Sequence, residues 1–221
     1  TCSDETPRPI PAQCALSAAS DDVRSAALQA LAQTWPDETT RELLAQRAIQ
    51  DNDAPPRSAA LQALAQTWPD ETTRELLAQR AVQDDDGSPR SAALQALAQT
   101  WPDETTRELL TQRAIQDNGA SPRRAALEAL AQAWPDETTR KLFAQWVVDV
   151  PHSDVRSAAL QALAQTWPDE TTRELLAQRA IQDNDAPPRS AALEALAQAW
   201  PDETTRELLA QRAVQDDDGY P

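Results

Sequence analysis

The chain has 221 residues, enough for one or two ordinary domains, and 36 acidic against 20 basic side chains give a formal net charge of −16. That balance argues against nucleic acid, whose binding depends on Lys and Arg neutralising phosphates, and against anionic membrane surfaces. No run approaches the roughly 20 consecutive apolar residues of a membrane span.

The first fifteen residues, TCSDETPRPIPAQCA, align in register with TWPDETTRELLAQRA at residues 34–48. They read as a decayed helix that Pro7, Pro9 and Pro11 have entered, each interior proline costing about 3 kcal/mol. Residues 1–22 are therefore expected to form an irregular half-repeat, a lid. Cys2 and Cys14 stand where Trp35 and Arg47 stand in the intact copy. In a straight helix they would lie about 18 Å apart, too far for a disulfide. With the prolines present, two separate thiols and a local disulfide both stay open. So few cysteines suggest a reducing compartment, and the expected location is cytoplasmic.

Residues Val23 to Pro55 make one complete unit. Val23, Ala26, Ala27, Ala30 and Leu31 follow helical spacing and predict a first helix over about 23–34. Trp35 should break it, because a residue before proline is pushed out of the helical region. A second helix is predicted over about 36–50, with Pro36 at its first position and Asp37 and Glu38 as favourable N-terminal charges. Leu43, Leu44, Ala48 and Ile49 supply its apolar arc. Asp53 is a candidate cap for the next helix, whose first turn tolerates Pro55 and Pro56.

The unit then recurs. Trp35, Trp68, Trp101, Trp134, Trp167 and Trp200 stand 33 residues apart, each followed by Pro-Asp-Glu-Thr-Thr-Arg. A period of this size marks an array whose units bury their apolar faces by stacking. The expected organisation is one solenoid over 1–221, with the half-repeat at 1–22 and six helix-pair repeats at 23–220. Both ends read as cuts through a longer array, so a fragment of a larger protein is expected. Asp22–Leu61 is identical to Asp154–Leu193. Copies this similar record duplication, so a residue that differs is more informative than one that recurs.

The fourth repeat differs most. Its second helix reads RKLFAQWVVDVPH at 140–152, against RELLAQRAIQDND at 41–53. Lys141 reverses a charge, Trp146 replaces an arginine, and His152 is the chain's sole histidine. Lys141, Phe143, Trp146 and His152 are the candidate partner-binding residues, because aromatic and cationic side chains dominate interface hot spots. The alternative is local repacking, in which Phe143, Val147 and Val148 enlarge the core together and the next repeat covers Trp146.

The stretches DDVRSAALQAL at 21–31 and SDVRSAALQAL at 153–163 resemble the D-x-V-R-x-x-A-x-x-A-L signature of HEAT repeats, above all the short bacterial kind. The resemblance covers essentially the whole chain. It departs in period and in placing Pro at 56, 89, 122 and 188 where the signature has Val. It implies an all-α, right-handed solenoid of antiparallel helix pairs. Similar units occur in arrays attached to STAND/NACHT signalling ATPases and in phycobilin lyases.

Catalysis has little to stand on. One histidine precludes a His/Cys metal cluster, and units that touch only their neighbours cannot bring Cys2 or Cys14 to His152. The acidic turns Asp84-Asp85-Asp86 and Asp216-Asp217-Asp218 lack the ligand spacing of an EF-hand. No catalytic residue, cofactor or metal is expected. Arg24, Arg57, Arg90, Arg123, Arg156 and Arg189 are read as bridges between successive units, and the tryptophan ladder as inter-helix packing. The second helices, polar at Glu42, Gln46 and Gln50, are expected to line the concave side. The function expected is a non-enzymatic protein-interaction scaffold or ligand-sensing module of a bacterial signalling protein, binding a protein or peptide of basic or polar surface. The alternatives are a phycobilin-lyase-like enzyme and an engineered repeat scaffold; the proline-bearing first half-unit argues against a designed cap.

Overall fold

A computed structural model describes residues 19–217. Residues 1–18 of the half-repeat expected over 1–22, with Cys2 and Cys14, lie outside the described residues. Twelve helices and no strand occur among those described: α1 (Asp21–Thr34), α2 (Glu38–Gln50), α3 (Ala54–Thr67), α4 (Glu71–Gln83), α5 (Gly87–Thr100), α6 (Glu104–Gln116), α7 (Ala120–Ala133), α8 (Glu137–Asp149), α9 (Ser153–Thr166), α10 (Glu170–Gln182), α11 (Ala186–Ala199) and α12 (Glu203–Asp217). Odd numbers are the first helices of successive repeats, even numbers the second. None of them is long and apolar enough to cross a membrane. The chain divides into two compact units, Thr1–Leu109 and Leu110–Pro221.

The helix boundaries follow from a corner that recurs in each repeat. Trp35 leaves the helical region at φ −129°, ψ 73°, and its N–H still reaches Leu31 O at 2.9 Å. The Asp37 N–H then donates back across Pro36 to Trp35 O, also at 2.9 Å. Asp37 is the N-cap of α2, and its carboxylate accepts the Thr40 N–H at 3.0 Å. Pro36 therefore lies in the corner and not at the first helical position. The expected start is corrected to Glu38, because the aspartate cap satisfies a helix donor, worth about 1 kcal/mol, which a helix begun at proline would forgo. Asp53 does flank the start of α3, but its side chain makes no capping bond there.

In the first unit α1, α3 and α5 pack directly on one another, and α2 and α4 lie against α3 and α5. In the second, α9 packs on both α7 and α11, with α8 against α9 and α10 against α11. A second helix thus packs mainly on the first helix of the following repeat and meets its own partner at the corner. Buried alanines explain the close first-helix layer: Ala59, Ala60 and Ala63 on α3, and Ala159, Ala162 and Ala164 on α9, leave little between backbones. Leu61, Leu64, Leu77, Leu94 and Leu97 fill the layer beneath in the first unit, and Leu127, Leu130, Phe143, Leu160, Leu163 and Leu176 in the second.

Charge joins the repeats. Arg57 donates from Nη1 to the Asp51 carbonyl in the turn behind it, at 2.7 Å. Its Nε and Nη2 take the Asp84 carboxylate in the turn ahead, at 3.2 and 3.0 Å, and Nη2 also reaches Asp86 at 2.5 Å. Arg156 repeats this between Val150 O and the carboxylates of Asp183 and Asp185. Arg24 pairs with Asp51 and Asp53. The bridges expected of Arg24, Arg57 and Arg156 are therefore present, except that the preceding turn offers a carbonyl and the following turn the carboxylates. A second arginine four residues before each buried aspartate adds to the rung, as Arg179 does to Asp183 at 2.8 Å. A shallower series links second helices: Arg41 to Asp70, Arg74 to Asp103 and Arg173 to Asp202 at 2.7 Å, and Arg140 to Asp169 at 2.6 Å. The N-cap bond from the Thr73 N–H, then Arg41, holds the Asp70 carboxyl below its ordinary value.

Asp183 is 3% exposed. Burial pushes its carboxyl up, but hydrogen bonds from Arg156, Arg179 and the Asp185 N–H outweigh that and lower it from 3.8 to about 2. A group depressed in the folded state binds its proton more readily when unfolded, so its contribution is present above about pH 4 and is lost as pH falls toward 2. The difference corresponds to stability on the order of 2 kcal/mol. Urea unfolding of the wild type and Asp183→Asn between pH 6 and pH 2 should show the variant less stable at pH 6 and less sensitive to acid. Parallel pH profiles would show that this rung carries no linked stability.

Candidate partner-binding groove

The close first-helix layer leaves a concavity in the second unit. A groove of about 590 Å³ is lined by Arg124 on α7, Gln161, Ala164 and Gln165 on α9, Pro168 beyond it, and Glu194, Ala195, Gln198 and Ala199 on α11. A smaller one of about 300 Å³ continues over α7 and α9 past Glu128, Ala131 and Gln132. First helices, and not the second helices expected on the concave side, line this groove. The reason is side-chain size: alanines draw the first helices together, whereas Arg41-type and Leu43-type side chains hold successive second helices apart. Glu42, Gln46 and Gln50 are exposed on the other layer, and Gln46 spends an amide N–H on Gln50 at 3.1 Å.

The groove gathers residues that depart from the repeat. Arg124 stands where other repeats have Ser25, Ser58, Ser91, Ser157 and Ser190. Glu128 and Glu194 replace Gln29, Gln62, Gln95 and Gln161, and Ala133 and Ala199 replace Thr34, Thr67, Thr100 and Thr166. The sequence reading passed over these positions, although departures from the repeat were the available signal. Arg124 Nε donates to Glu128 at 2.7 Å. The two therefore neutralise each other and leave Glu194 as the groove's uncompensated charge.

The four residues expected to bind a partner are not brought together as a surface. Lys141 and His152 are exposed, with Lys141 3.9 Å from Glu137 and His152 at the N-cap of α9. Phe143 is 0% and Trp146 4% exposed. Their rings stack at 5.5 Å between centroids, and Phe143 meets the ladder residue Trp167 edge-on at 6.1 Å. This is the repacking alternative, with Val147 buried as well, corrected at Val148, which is 56% exposed. Its cause is a second substitution that the sequence reading did not pair with the first. Trp146 replaces the Arg179-type member of a rung, and Val150, 7% exposed, replaces its buried aspartate. Arg123, deprived of that aspartate, takes Asp154 at 2.8 Å while keeping the Asp117 carbonyl at 2.6 Å. Asp154 occupies a place held by proline or serine in repeats two, three, four and six.

Among the described residues no group of three or more His, Cys, Asp or Glu side chains could hold a metal. Nor does any reactive nucleophile face the groove.

A family profile for HEAT repeats matches residues 11–98, 107–197 and 142–220. The chain belongs to the HEAT-repeat family. No curated protein matches the chain. Among solved structures it is similar to a chain of the complex of CpcE and CpcF of phycocyanin lyase from Nostoc sp. PCC7120, with 24% sequence identity over 89% of this chain and 79% of that one, and a TM-score of 0.48.

The HEAT units explain what replacing Trp146 should do. Trp146→Ala should destabilise the chain by about 3–5 kcal/mol through the cavity it leaves. Trp146→Arg should cost less in a Val150→Asp background than alone, with a coupling of about 1 kcal/mol or more. Chemical denaturation of the four members of that cycle decides it; strict additivity would mean that positions 146 and 150 do not form one rung.

Proposed function

We propose that this HEAT-repeat chain is a non-enzymatic interaction module, and that its partner is a protein or peptide received on the first-helix groove of the second unit. The observation that carries the reading is the clustering of departures in a near-duplicate array. Arg124, Glu128 and Glu194 change polar neutral positions to charge, all on one concave surface, without entering a rung. Charge on an exposed groove steers and selects a partner more than it stabilises a fold. A cytoplasmic place within a bacterial signalling protein of the STAND/NACHT type fits the resemblance of the units and remains part of the same reading.

Glu194→Lys and Gln165→Ala should weaken the purified complex with the partner at least tenfold, about 1.4 kcal/mol. Both are exposed, so stability should stay within about 0.5 kcal/mol. Glu174→Lys, on the exposed face of α10, should leave affinity unchanged. A partner indifferent to the groove variants and sensitive to Glu174→Lys would move the binding face to the second helices. A bilin that shifts its absorbance on adding the protein would replace the reading with a lyase.

A further inference from the structure

We infer that the groove takes an extended polypeptide segment, with glutamine amides bonding its backbone and one Lys or Arg of the segment against Glu194. The inference rests on the interaction reading above and adds the class of occupant. Gln132, Gln165 and Gln198 are equivalent positions on α7, α9 and α11, all exposed along the concave side. A primary amide offers donors and an acceptor at once, the pair that each peptide unit of an extended chain presents. Packed helices are spaced about 8–10 Å apart, and a strand rises about 3.3 Å per residue. One repeat therefore advances as far as about three residues of extended chain, so three glutamines would meet every third peptide unit across about seven residues. A helical segment rises only about 1.5 Å per residue and satisfies its own backbone groups, so it has no use for such a ladder. Ala164, Ala195 and Ala199 on the floor are small enough for a backbone to approach.

Charge selects the side chain. Arg124 and Glu128 are paired at 2.7 Å, whereas Glu194 is exposed and forms no ion pair among the described residues. A cation placed over α11 gains a partner there, and an anion meets repulsion.

The test is a titration of the ¹⁵N-labelled chain with synthetic nonapeptides of Ser, Thr and Gly. One carries a central Arg, one a central Glu, and one is the Arg peptide N-methylated at alternate backbone positions. The Arg peptide should shift the side-chain amide resonances of Gln132, Gln165 and Gln198. Its affinity should fall at least tenfold on N-methylation and at least tenfold in Glu194→Lys, and the Glu peptide should bind at least tenfold more weakly. Equal binding of Arg and Glu peptides, indifference to N-methylation, or no shift at millimolar peptide would each overturn the inference. Capture of a folded partner that is lost in Gln165→Ala, with no peptide shift, would overturn it while leaving the interaction reading in place.

Discussion

The array hangs on an arginine that must be satisfied from two directions. Arg57 and Arg156 each take a carbonyl from the turn behind and a buried carboxylate from the turn ahead. Losing one partner of such a buried pair leaves a charge stranded in a poor solvent, which is more damaging than never having the pair. The rung can therefore be changed only as a set. The fourth repeat shows one such set: arginine to Trp146, aspartate to Val150, and Arg123 turned to the carboxylate of Asp154. Two departures four residues apart and one carboxylate of the next helix act together in space.

That relation also marks the limit of what the sequence discloses. The helix pair, the break at Trp35, the prolines in the first turn of α3 and the bridging arginines were legible because each follows from local backbone rules or from the period. The start of α2 was misplaced at Pro36 because proline and aspartate compete for the same few positions, and only the Thr40 N–H bonded to Asp37 decides between them. Trp146 pointed in two directions because helical spacing puts it at the edge of the apolar arc, where neighbours decide burial. Here its ring stacks on Phe143, which in turn meets Trp167, a repeat away, edge-on. The groove's lining was not legible because it depends on how closely neighbouring helices pack, and the alanines of α9 and α11 form it.

The groove and the rungs divide the repeat between two tasks. Positions that face the turns carry the charges that bind one unit to the next, and these barely vary. Positions on the outer stripe of each first helix enter no rung: Ser25 bonds within its own helix, to Asp21 O, so Ser25, Gln29 and Thr34 can change without breaking a joint. In the second unit they have changed to Arg124, Glu128, Glu194, Ala133 and Ala199. Stability and recognition thus draw on separate residues of the same helix, which lets the surface diverge while the stack stays intact.

The altered rung has a further effect in a chain whose copies are nearly interchangeable. Asp22–Leu61 and Asp154–Leu193 are identical, so an ordinary repeat carries no label telling it which neighbour to accept, and a slipped stack would make almost the same contacts. Arg123 is different. With Val150 ahead of it where an aspartate usually stands, it takes its carboxylate from the second residue of α9, Asp154, a position where α3, α5, α7 and α11 carry proline or serine. The joint between the fourth and fifth repeats is thereby chemically distinct in an otherwise near-identical series.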